Sequence, residues 1–192
     1  MTTMERKTTV LTPTARQSPE PSQSPASDHD HRALARAVEA AAGRVDANLL
    51  TAVAPADAGH AFQPRTLLAV LAFSYVRQIY ASADIESFLR ENRDFEMLRR
   101  DQLPDARILR RFRRENREAL LVCLTAALRF LAQEKVAQGM VTHVNEAHVA
   151  EEASRRIIMA MFTDSMKMDK DQTSDVPADL CYLFANGRKQ RH

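Results

Sequence analysis

Six arginines, Arg107, Arg110, Arg111, Arg113, Arg114 and Arg117, fall within one stretch of eleven residues that contains no lysine. A guanidinium is a planar fork of donors, matched to two phosphate oxygens or to the edge of a guanine. The chemistry open to such a cluster is recognition of a polyanion rather than bond-making. From Arg99 to Glu118 there are eight arginines and four acids, a local +4 in a chain whose formal net charge is +2. The remainder is therefore net acidic, and positive charge is concentrated in one place, the pattern of a nucleic-acid footprint. A solvated helix face with ion pairs to Glu115, Glu118 and Glu96 would use the same residues. At this point both readings stand.

A helix must position these side chains. Asp105 suits its N-cap, where a carboxylate meets free N–H groups and the positive end of the helix dipole. At helical period Ile108, Leu109, Phe112 and Asn116 fall on one narrow seam, with the six arginines assigned to the opposite arc. The expected roles follow. Arg107, Arg110, Arg113, Arg114 and Arg117 meet phosphates, Arg111 and Arg107 lie nearest base edges, and Leu109 and Phe112 anchor the helix in the core. Six engaged phosphates would give a log affinity against log salt slope of roughly −5. Upstream, Ser82 can cap a helix whose stripe is Ile85, Phe88 and Leu89. That helix, the turn around Phe95 and Leu98, and the arginine helix predict a helix-turn-helix-like element with a long connection.

Other chemistries find little support. Asp28–His31 reads DHDH, but a cap with solvated histidines suits its border position better than a metal cluster. His143 and His148 are five apart and share no helical face. Ser74 and Tyr75 lie in an apolar helix, where packing outranks nucleophile chemistry. Met159, Met161, Met166 and Met168 fill core gaps or a partner groove more readily than they bind a cofactor. The expectation is no catalytic residue, no metal, no cofactor and no small-molecule substrate.

The surrounding pattern is helical throughout. Apolar residues are 45% of 192, glycine is rare at 4, and no segment alternates with period two. Asp30 offers an N-cap before Leu34, Val38 and Ala41. Pro64 suits a first helical position ahead of a helix apolar on all sides, which belongs at the centre of a bundle. A long helix runs to Gly139. Another follows Asn145, with Ile157, Ile158 and Met161 as its apolar side. The predicted fold is an all-α bundle of about six helices over 30–163. It is flanked by a disordered Ser/Thr/Pro-rich tail (1–29) and a mostly disordered tail (164–192). Cys123 and Cys181 suggest no disulfide framework, and no apolar run is long enough to span a bilayer, so a cytoplasmic protein with no membrane partner is expected.

The stretch FQPRTLLAVLAFSYVRQIYASADIESFLRENRDFEMLRRDQLPDARILRRFRRENREALL resembles the N-terminal domain of bacterial insertion-sequence transposases, the InsH-like group with a DDE catalytic domain. Pro64, Leu67, Leu68 and Leu71 match its first part. Ile79, Tyr80, Ser82, Asp84, Ile85 and Glu86 match the second, and Pro104, Asp105, Leu109, Arg111, Phe112 and Arg113 the third. Gln78, Ala83 and Ile108 stand where the family pattern has Gly, Arg and Thr. The resemblance covers roughly 62–132 and implies a helical DNA-binding domain that recognises element ends. The family's catalytic domain is a mixed α/β fold with three metal-binding carboxylates. Only 53 residues follow Gly139, so the expectation is a stand-alone or truncated module, DNA-binding and without catalysis. The alternative is a helical interaction or dimerisation module, a homodimer or a regulator of a full-length transposase.

Overall fold

The computed structural model describes residues 25–54 and 61–173. Among them the chain is all-α, with seven helices and no strand. In order these are α1 (Pro25–Arg44), a 3₁₀ turn (Ala47–Leu49), α2 (Pro64–Val76), α3 (Ser82–Glu91), α4 (Arg93–Arg99), α5 (Ala106–Glu115), α6 (Arg117–Ala137) and α7 (Glu146–Thr173).

Helix α2 is the axis of the bundle. Every residue from Thr66 to Val76 is buried, as a helix apolar on all sides requires. α1 and α6 pack on it and on each other, α4 and α5 close another side, and α7 lies chiefly along α6. Pro64 does start the helix. Its polar Ser74 returns a hydroxyl to the Val70 carbonyl at 2.7 Å, so this buried hydroxyl is satisfied. Phe95 of α4 meets Phe73 edge-on, with ring centroids 5.2 Å apart, a favoured aromatic geometry. From α5, Leu109 and Phe112 are fully buried.

Two helices end on the same device. After α2 the Gln78 amide donates to the Tyr75 carbonyl and the Ile79 amide to that of Ser74. After α6 the Gly139 amide donates to Val136 and that of Met140 to Lys135. Both are Schellman closures, which need a left-handed residue just past the helix. Gly139 sits at φ 71 and Gln78 at φ 62. Glycine adopts this conformation freely, whereas glutamine is strained in it. The glycine of the family pattern at position 78 thus has a conformational reason.

Several expected boundaries shift. α1 begins at Pro25, so Asp30 is not its N-cap and the first tail gives up its last residues to helix. Ala81, not Ser82, is the N-cap of α3, and it makes no side-chain bond. α7 runs ten residues past 163, to Thr173. Its buried positions are Val149, Ala153, Ile157, Ala160 and Asp164, while Ile158 and Met161 are exposed. The apolar side predicted for it was rotated, because two apolar faces compete on this helix and only one meets α6. Residues 1–24 and 174–192, with the rest of the expected tails and Cys181, lie outside the described residues.

Two substitutions test this packing by chemical denaturation. Phe112→Ala is expected to cost about 3–5 kcal/mol; a loss under about 1 kcal/mol would contradict full burial. Gln78→Gly is expected to be neutral or to stabilise by up to about 1 kcal/mol, since relief of the strained φ opposes a floppier unfolded chain.

Candidate nucleic-acid interface

The arginine helix is held first at its N-terminus. The Asp105 carboxylate accepts from the Ile108 amide at 2.7 Å, as an N-cap should. Glu86 of α3 accepts from the Ala106 amide at 2.8 Å. Two carboxylates therefore meet the positive end of α5. Ile108, Leu109 and Phe112 are buried beneath it, so the position the family pattern fills with Thr faces the core here. At the other end Asn116 is buried and closes α5. Its side chain accepts from the Thr51 amide at 2.6 Å and donates to the Thr51 carbonyl at 3.0 Å. The chain then turns into α6, so Arg117 opens the next helix rather than ending this one.

The six arginines do not form one face. Arg107, Arg114 and Arg117 are exposed and Arg110 half-buried. Among the described residues none of these four has an ion-pair partner within 4 Å. Arg111 is exposed but paired with Glu115 one turn on, at 2.8 Å. Glu118 and Glu96 hold none of the six, so the salt-bridged reading applies to Arg111 alone.

Arg113 departs from its expected place. Its side chain is 6% exposed, and no phosphate can reach it in this fold. The reason lies in the helical period. Arg113 follows Leu109 by four residues and Phe112 by one, so it sits about 40° from Leu109 at 100° per residue. That direction points into the bundle.

There it forms a buried polar centre of four helices. The Arg113 guanidinium donates to Asp164 of α7 and, at 2.9 Å, to the Tyr75 hydroxyl of α2. Asp164 also accepts from the Ser82 amide at 2.7 Å and from the Ser82 hydroxyl at 2.6 Å. The capping group missing from α3 is thus supplied by α7, eighty-two residues away. Burial pushes the Tyr75 hydroxyl up to about 12, against the pull of Arg113, so it stays neutral at physiological pH. Burial acts to lower Arg113, but its bonds to Tyr75 and Asp164 outweigh that and hold it above its ordinary value. A second tie lies nearby. Arg156 of α7 donates to the Tyr75 and Val76 carbonyls, both at 2.8 Å, satisfying the negative end of α2. Nothing in the local pattern marked Asp164, but the misplaced Arg113 could have been found by placing each arginine on the wheel separately.

Other features sit apart from α5. An open cleft of about 1010 Å³ is lined by α1, α3 and α4, with Asp94 between Arg77 at 2.7 Å and His31 at 3.3 Å. His31 therefore faces a carboxylate within the fold. Among the described residues no helix is long and apolar enough to cross a membrane, and no three His, Cys, Asp or Glu side chains gather as a metal site.

Residues 21–115 match a family described as Transposase domain (DUF772). No curated protein and no solved structure matches the chain. The matched stretch starts well before the resemblance seen in the sequence and takes in α1, then stops at the last residue of α5.

Asp164→Ala should destabilise the fold by about 3–5 kcal/mol, because it leaves a buried guanidinium without its counter-charge. Arg113→Met combined with Asp164→Leu should lose clearly less than that single change in urea melts. If the double variant were the weaker, the pair would be contributing net stability rather than guarding against a lone charge.

Proposed function

We propose that the transposase-related stretch over residues 21–115, together with the helix that follows it, forms a DNA-binding module whose contact surface is the outward side of α5 and the start of α6. Arg107, Arg110, Arg114 and Arg117 meet phosphates on this reading, with Arg107 and Arg111 nearest the base edges. The helix-turn-helix-like element is α3 and α5, bridged by α4. The role requires no catalytic group of this chain. Arg113 drops out of the contact set and becomes the residue that fixes the orientation of α5.

One observation carries the reading. Three exposed guanidiniums and one half-buried, on and beside one short helix, have no ion-pair partner among the described residues, in a chain whose formal net charge is only +2. Arginines kept only for solubility would gain by pairing with nearby acids, as Arg111 does with Glu115. The break at Asn116 puts Glu118 on the next helix, and among the described residues Arg107, Arg110, Arg114 and Arg117 have no such partner. Unpaired Arg is also the cation that phosphate recognition favours, through two parallel donors. A second reading, a helical module that regulates a full-length transposase or another partner by association, is favoured by exposed apolar side chains on α7.

The first reading is tested by fluorescence anisotropy on duplex DNA across a salt series. Replacing Arg107, Arg110 and Arg114 by Ala together should weaken binding and flatten the log–log salt slope by about 3, near 0.9 for each lost phosphate contact. The fold should remain intact, since none of the three lies in the core. An unchanged slope would remove the α5 surface from consideration.

A further inference from the structure

The C-terminal half of α7 carries two different faces. One is satisfied within the bundle through Ile157, Ala160 and Asp164. The other is formed by Ile158, Met159, Met161, Phe162 and Met166, all large, all apolar and all between 42% and 59% exposed. Position 158 recurs at 161, 162 and 166, the spacing of a single helical stripe. From Ile157 to Thr163 the sequence IIMAMFT holds no charge. Large side chains of this kind bring roughly 150–250 Å² each when fully exposed. The stripe thus presents on the order of 500 Å² of apolar surface, at the upper end of what a solvated monomer shows.

We propose that this stripe is a homodimer interface, in which α7 of one chain packs against α7 of a second copy. Two such stripes face to face remove about 1,000 Å² from water before flanking residues are counted, which reaches the lower bound for a specific interface. A two-fold pairing is self-complementary by construction, and here it sets uncharged surface on uncharged surface. Methionine supplies three of the five side chains, and its unbranched, polarisable chain adapts to a like surface without demanding a preset pocket. The bundle keeps α7 in place for this. Arg113 and Ser82 bind Asp164 on its inner face, its own Arg156 donates to the Tyr75 and Val76 carbonyls, and its Lys167 reaches Asp84 of α3. The surface offered to a second copy is therefore fixed before it meets one. The inference is independent of the DNA-binding reading, because the stripe contains none of the α5 arginines.

The test is mass measurement by light scattering and sedimentation on the full chain over a concentration series. A dimer near twice 21.6 kDa is expected. Phe162→Glu and, separately, Ile158→Glu should raise its dissociation constant by at least about tenfold, with the helical circular dichroism and melting of the monomer unchanged because both side chains are exposed. A wild-type chain that stays monomeric throughout overturns the proposal, and so does a dimer indifferent to both replacements. One more outcome does the same: a monomeric wild type that dimerises only when Leu180→Asp and Phe184→Asp are introduced. The stripe would then belong to the chain's own C-terminal segment.

Discussion

A charge buried in protein must be answered by another, and here one such pairing joins parts of the chain that are far apart. Arg113 comes from α5, Asp164 from α7, Ser82 from α3 and Tyr75 from α2. Helix α2 is held by burial on all sides, whereas the short α3 and α5 and the outer helix α7 gain a fixed mutual placement from this centre. Two charges taken out of water give little net stability. What they give is selectivity, because any arrangement that separates them leaves a bare ion in the core. The angle at which α5 lies on the bundle follows from this, and so does which of its arginines face outward.

The pairing also explains why α5 is two-sided in a finer sense than a seam and an opposite arc. Leu109, Phe112 and Arg113 go inward together, the first two by hydrophobic burial and the third because a carboxylate awaits it. Of the acids near the outer arginines, Glu115 takes only Arg111, and Asp105 and Glu86 accept from amides at the N-terminus of α5. Among the described residues the remaining guanidinium charge on α5 is left without an ion-pair partner.

Much of this architecture is written in local pattern. The all-apolar wheel of α2, the proline at its start, the Asp105 cap and the seam of Leu109 and Phe112 are set by neighbours a few residues apart, and each was legible in sequence. What stayed hidden depends on long separations. No periodicity in α3 reveals that Asp164 would cap it, and none in α7 chooses between its two apolar faces. The end of α7 reads in sequence as disordered tail because it is polar; Asp164 and Lys167 there have partners on α3 and α5 that no local pattern reveals. Position 78 is an intermediate case. A glycine there would have announced a left-handed closure, whereas glutamine conceals it.

The family match ends where α5 ends, yet the counter-ion of Arg113 is contributed by α7, far downstream. Sequence likeness and physical completeness therefore part company. A fragment cut at the edge of the matched stretch would retain every helix in that stretch and still harbour an orphaned cation, an uncapped α3 and an unmet Val76 carbonyl at the end of α2. The buried charge of α5 is answered only at Asp164, some fifty residues beyond the point at which the likeness stops.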